Sequence, residues 1–323
     1  MDKMQQPLEY DKLYDYADLC AKEGRHEEAL AVYKELRRLK PDNDSLLLSI
    51  AWVYIDMGEK ERALEYLEQL LEKELSRNIF TGFAFDEMVK MYRDIKEYDK
   101  LIMLCERAVD VYPYDPTLLA TLGESCLKSG NCKRAFEVFS MLTDIDPDMS
   151  LYFMNRGIAA VEMGDYEKAE ESVSLAIQKE PEDGAMIYDH LAGAYEKAGQ
   201  HERAIQARMQ AIERDRDNPY YHCGLGDLYL KLGRLDDARE AYEEACRISP
   251  VSRGTFRNRL ANMMIKAGFI VEAAEEFEKA IEIDPANPFY YLGLIGCLEA
   301  MGDEKGARKF KELGRRRGVL PWG

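Results

Sequence analysis

An all-α solenoid of about nine helix-turn-helix repeats is predicted by three observations. Alanines recur every 34 or 35 residues, a glycine stands five residues before each, and a proline follows twelve residues after most of them. The alanines are Ala29, Ala63, Ala135, Ala169, Ala204, Ala238, Ala273 and Ala307, with two repeats and four extra residues between Ala63 and Ala135.

Each repeat is justified by the same sequence of signals. Its first helix carries an apolar face with an aromatic near the end, as in Leu13, Tyr16, Ala17 and Cys20, or Leu191, Ala192 and Tyr195. The glycines Gly24, Gly58, Gly130, Gly164, Gly199, Gly233, Gly268 and Gly302 suit a residue that leaves a helix with positive φ. The alanine then opens the second helix, small because the two helices cross closely there. Gly123, Gly157, Ala192 and Gly226 are small opposite it for the same reason. Pro41, Pro147, Pro181, Pro250 and Pro285, with Pro113 in an irregular unit, stop the second helix. Units start near Tyr10, Asp44, Gly82, Pro116, Ser150, Ala185, Pro219, Gly254 and Pro288. Residues 10–321 form one continuous solenoid, residues 1–9 a short lead-in and residues 315–323 a basic tail.

This order of small residue, tyrosine, turn glycine, alanine, aromatic and proline resembles the tetratricopeptide repeat over about residues 10–320. The resemblance implies a right-handed superhelix whose concave surface, lined by the first helices, holds a peptide or helix of another protein.

Two units depart from the pattern. In the third, Lys96 and Leu101 replace glycine and alanine, and the extra residues fall in a stretch rich in aromatics, Ile79 to Phe85. A lengthened helix that buries these aromatics against the second unit is expected. In the last, Lys311 and Gly314 stand at places that are apolar or small in inner units, as a terminal repeat facing water requires.

Composition narrows the function. A chain of 323 residues, 46% hydrophobic and 33% charged, folds throughout. Its net charge of −17 repels nucleic acid and anionic membrane surfaces, so neither is an expected partner. The N-terminus lacks a basic segment followed by an apolar run, and no stretch is apolar enough to span a membrane; a cytoplasmic location follows as an expectation. Seven irregularly spaced cysteines suit reduced thiols, with Cys126 packed and Cys132 near the surface rather than paired on a metal. There is no Gly-Lys dipeptide for a phosphate loop, and Gly224-Leu225-Gly226 lacks a third glycine and a preceding strand. Neither His26 nor His201 has the second histidine of a helical zinc site, and His222 falls at a packing place. No catalytic, cofactor or metal site is expected, and the chain reads as a non-catalytic adaptor.

Three features point to partner-binding residues. The first helix of the second unit is apolar nearly all round, leaving Leu48, Trp52 and Ile55 surplus to the core. In the fifth unit Leu151, Met154, Ile158 and Val161 fall on the groove side by register, beside Asn155. From Cys246 to Val271 there is no acidic residue, and Asn258, Arg259, Asn262 and Lys266 share adjoining stripes that could hold an acidic segment of the partner. A carboxylate clamp known from some members of the family is not reproduced, because Ala120, Glu124, Met186 and His190 occupy its places around Asn155. The alternative is a self-assembling scaffold in which Arg315, Arg316 and Arg317 meet Asp11, Asp15 and Asp18 of another copy, giving a homo-oligomer. A regulatory subunit of an enzyme complex is a more distant alternative.

Overall fold

The computed structural model describes residues 5–321, so Met1 to Met4 of the lead-in and Trp322 and Gly323 of the tail lie outside the described residues. Within it there are eighteen α-helices and no strand. They fall in two compact units that divide after Ile145.

The first unit holds four hairpins: α1 (Gln5–Lys22) with α2 (His26–Leu39), α3 (Ser45–Asp56) with α4 (Lys60–Ser76), α5 (Phe83–Asp94) with α6 (Tyr98–Val111), and α7 (Pro116–Ser129) with α8 (Cys132–Ile145). The second holds five: α9 (Ser150–Glu162) with α10 (Tyr166–Lys179), α11 (Gly184–Lys197) with α12 (His201–Arg214), α13 (Pro219–Lys231) with α14 (Leu235–Ile248), α15 (Arg253–Ala267) with α16 (Ile270–Ile283), and α17 (Pro288–Ala300) with α18 (Glu304–Arg316). In each unit the second helix of a hairpin also packs on the first helix of the next, as α2 does on α3 and α16 on α17. The result is an all-α solenoid of stacked hairpins.

One turn geometry closes all nine hairpins. The repeat glycine takes positive φ, from +71° at Gly199 to +90° at Gly268. The amide after it then donates to the carbonyl five residues back, as Arg25 does to Cys20 at 2.8 Å and Asp303 to Leu298 at 2.9 Å, satisfying a carbonyl that the helix end would leave orphaned. The third hairpin keeps this geometry without glycine: Lys96 stands at φ +58° and Glu97 donates to Tyr92 at 3.0 Å. A side chain in that conformation costs about 1 to 2 kcal/mol, so the surrounding packing imposes it.

The repeat alanines are buried, and the small residues opposite them explain how closely the helices meet. A Cβ built on Gly226 would lie 2.6 Å from the Tyr242 ring and 3.3 Å from the Ala238 carbonyl; one on Gly123 would lie 2.8 Å from the Phe139 ring. The first helix therefore presses on the alanine backbone and on the aromatic one turn beyond it.

The aromatic stretch before α5 is only partly buried. α4 is lengthened to 17 residues, Phe85 is buried, and Phe80 packs against Phe85 and Tyr112 with centroids 5.7 and 5.5 Å apart. Ile79 and Phe83, however, are exposed, because the chain leaves α4 through Asn78 at φ +54° and enters α5 through Gly82 at φ +81°.

At the other end the basic tail is not loose. The Val319 and Leu320 amides donate to the Gly314 carbonyl, so the chain doubles back after Gly318. Arg317 donates to the Tyr291 hydroxyl at 2.6 Å, Arg315 to the Pro321 carbonyl at 3.2 Å, and Arg316 pairs with Glu312 at 2.5 Å. A Cβ on Gly314 would lie 2.7 Å from Leu320, which is why that place is glycine.

Candidate functional site

The candidate surface is a stripe of the first helices set by repeat register. Residues 18, 15, 11 and 8 before the repeat alanine lie three or four apart, hence on one side of the helix. In α3 these are Ser45, Leu48, Trp52 and Ile55. Trp52 is 45% exposed, and Leu48 and Ile55 are half-buried. Leu48 also lines a cleft of about 300 Å³ together with Leu70, Ile79 and Phe83. The exposed side chains of the aromatic stretch thus join the second hairpin's surplus apolar residues in one region of the first unit.

Beside that cleft, Asp44 accepts ion pairs from Lys73 at 2.8 Å and Arg77 at 2.5 Å. Glu74, on the same helix and also lining the cleft, is only 6% exposed. One of its oxygens accepts from the Thr81 hydroxyl, and the other, Oε2, has no partner among the described residues. Burial pushes its carboxyl up from the ordinary glutamate range, against the lowering effect of Thr81.

In the second unit first helices lie side by side, α9 against α11, α13 against α15 and α15 against α17. Ion pairs tie them: Glu162 to Lys197, Glu196 to Lys231, and Asp227 to Arg259 at 2.6 Å, while Asp189 of α11 pairs with Arg208 of α12 within one hairpin. Asp227 also accepts from the Tyr242 hydroxyl. Burial foremost, with the Asp227 charge, holds that phenol well above the usual tyrosine range, so it stays a neutral donor.

The sequence-predicted residues divide on this surface. Leu151 is exposed, and Ile158 and Asn155 are half-buried. Met154 and Val161 stand on the stripe by register, 15 and 8 before Ala169, yet are buried at 5% and 1% exposure and belong to the core, because the neighbouring first helix α11 packs against α9. The basic stretch is largely neutralised by neighbouring helices. Arg257 bridges Glu276 at 2.6 Å and Glu243 at 2.8 Å, Arg247 pairs with Glu244 at 2.6 Å, and Arg259 is engaged by Asp227. Asn262 turns its amide back to the Asn258 carbonyl at 2.7 Å. Only Arg253 and Lys266 of that group lack a carboxylate partner among the described residues, and of the two Lys266 is the one that the sequence pattern puts on the groove.

Sequence reasoning named Leu151 but missed the row to which it belongs, at the start of the first helices. Leu151, Met186, Tyr220 and Phe289 all stand 18 residues before the repeat alanine and are 44, 40, 62 and 69% exposed. Thr255 interrupts the row in α15, and Leu292 extends it by one turn in α17. Their spacing of 34 or 35 residues, or twice that, was the available signal.

Among the described residues no group of three His, Cys, Asp or Glu side chains could hold a metal ion, and no helix is long and apolar enough to cross a membrane. Burial raises the thiols of Cys105 and Cys223 to about 12 and that of Cys126 to about 11, leaving them as small packing residues.

The family profile described as tetratricopeptide repeat matches residues 21–77, and a second profile of the same description matches residues 154–208 and 191–253. The chain is a tetratricopeptide-repeat protein. Its similarity to curated relatives is distant. It is 22% identical to a TPR repeat-containing protein of Methanocaldococcus jannaschii over 76% of this chain and 39% of that one. It is 24% identical to the TPR repeat-containing protein YpiA of Bacillus subtilis over 76% and 57%. With the human protein O-mannosyl-transferase TMTC1 it shares 26% identity over 52% of this chain and 19% of that one. This tetratricopeptide-repeat chain therefore spans less than two thirds of the length of each relative.

Proposed function

We propose that the protein is a non-catalytic interaction scaffold that holds an extended or helical segment of a protein partner on the exposed stripe of its first helices. The observation that carries this reading is the row Leu151, Met186, Tyr220 and Phe289, large apolar side chains exposed at one repeat position in four of the five hairpins of the second unit. Core packing does not require them there, and four apolar contacts in register are what a partner segment can use. Trp52 offers the first unit an aromatic anchor of the kind that dominates interface energetics.

The apolar contacts take precedence over the polar ones. With Arg257 and Arg259 already paired, an acidic partner segment would have Lys266 and the remaining nitrogens of Arg259 as its cations. Seven free thiols fit a reducing, cytoplasmic setting.

The test compares capture of partners from source-cell lysate by the wild type and by two variants, Trp52→Ala and Leu151→Ser/Tyr220→Ser/Phe289→Ser, each with unchanged helical circular dichroism. Loss of the same captured protein supports the stripe as the binding surface. Capture undiminished by both variants removes it.

A further inference from the structure

The first hairpin leaves exposed a face that the second, third and fourth hairpins bury. In α3 that face is Leu47, Ile50 and Val53, all buried where α2 packs on the helix. The corresponding trios of α5 and α7 are buried as well. In α1 the same places hold Leu13, Tyr16 and Leu19, which are 38, 42 and 49% exposed, and no described helix precedes them. Asp11 and Asp15 flank the trio, exposed and without a cationic partner among the described residues.

The last hairpin is finished in the opposite way. Places one, four and eight after the repeat alanine are Ala274, Phe277 and Ile281 in α16, buried where α17 packs. In α18 they are Arg308, Lys311 and Arg315. Arg308 has no carboxylate partner among the described residues, while Lys311 reaches Glu299 at 2.5 Å. Among the described residues the outer face of α18 is thus polar where that of α1 is apolar.

We propose that the α1 face of one copy docks on the α18 face of another, joining copies head to tail. The aliphatic stems of Arg308 and Lys311 cover Leu13, Tyr16 and Leu19, while Arg308, which has no carboxylate partner among the described residues, reaches Asp11 and Asp15 and Lys311 stays with Glu299. Two α1 faces brought together would oppose these aspartates, so charge selects the heterologous contact over a two-fold one. The tail arginines, held by Tyr291, Pro321 and Glu312, are not the cations this contact uses. The contact is separate from the groove, so either can fail alone.

Sedimentation velocity of the full chain, over a wide concentration range at low and high ionic strength, tests the proposal. Mass should rise with concentration beyond a dimer at low salt and fall at high salt. Asp11→Lys/Asp15→Lys and Arg308→Glu/Lys311→Glu should each be monomeric alone, and an equal mixture of the two should associate again, which a merely misfolded variant would not do. A wild type that stays monomeric at every concentration overturns the proposal. So does association that survives reversal of α18, since that points to pairing of two α1 faces or to another surface.

Discussion

At the scale of single residues, the departures from the repeat show where the fold bears a cost. Lys96 keeps the left-handed turn that glycine makes elsewhere, and Glu74 holds a buried carboxylate with one oxygen unsatisfied. Because burial raises the Glu74 pKa in the folded chain, its contribution to stability is fully present below the unfolded value, near 4.5, and is lost as pH rises through the folded one. Glu74→Gln should therefore stabilise the protein by about 1 kcal/mol at pH well above that range and by little at or below it. Urea midpoints at the two pH values check this; an equal gain at both would mean that the carboxylate charge is not what costs stability.

At the scale of the helix, two glycines in mid-helix have opposite meanings that only the packing separates. Gly226 faces Tyr242, a fully buried ring fixed by its bond to Asp227, whereas a Cβ on Gly193 in α11 meets nothing within 4 Å. Gly226→Ala should cost about 1 to 3 kcal/mol through overpacking. Gly193→Ala should add roughly 0.5 to 1 kcal/mol through helix propensity. Thermal melts of the two variants read both effects, and similar shifts would show that the close approach at Gly226 is relieved by movement of α14. The sequence marked Gly226 as small for packing, and its opposition to an aromatic as well as to the alanine became visible only when the helices were placed.

At the scale of the molecule, stacked repeats are stabilised by nearest neighbours, so local defects weaken their own neighbourhood before the rest. The segment from α4 to α6 contains the insertion, Lys96 in the left-handed turn and the unsatisfied Glu74, while α13 to α17 share a continuous buried cluster from Cys223 to Leu298. Amide hydrogen exchange should be faster in α4–α6 than in α13–α16 under native conditions. Equal protection in both would mean that the insertion packs as well as a regular repeat.

The sequence by itself determined the hairpins, their turns, the core alanines and the membership of the repeat family, because these depend on local propensity and on contacts repeated every 34 or 35 residues. Tertiary structure decided which surplus residues are open. Met154 and Trp52 look alike in an apolar helix, yet one turns into the core and the other toward solvent. It also decided the electrostatics: Arg257 and Arg259 lie in a stretch without acids, but Glu243, Glu276 and Asp227 come to them from neighbouring helices. Charge pairing and exposure depend on what the next helix brings within about 4 Å, and a linear pattern records only the residues that share a helix.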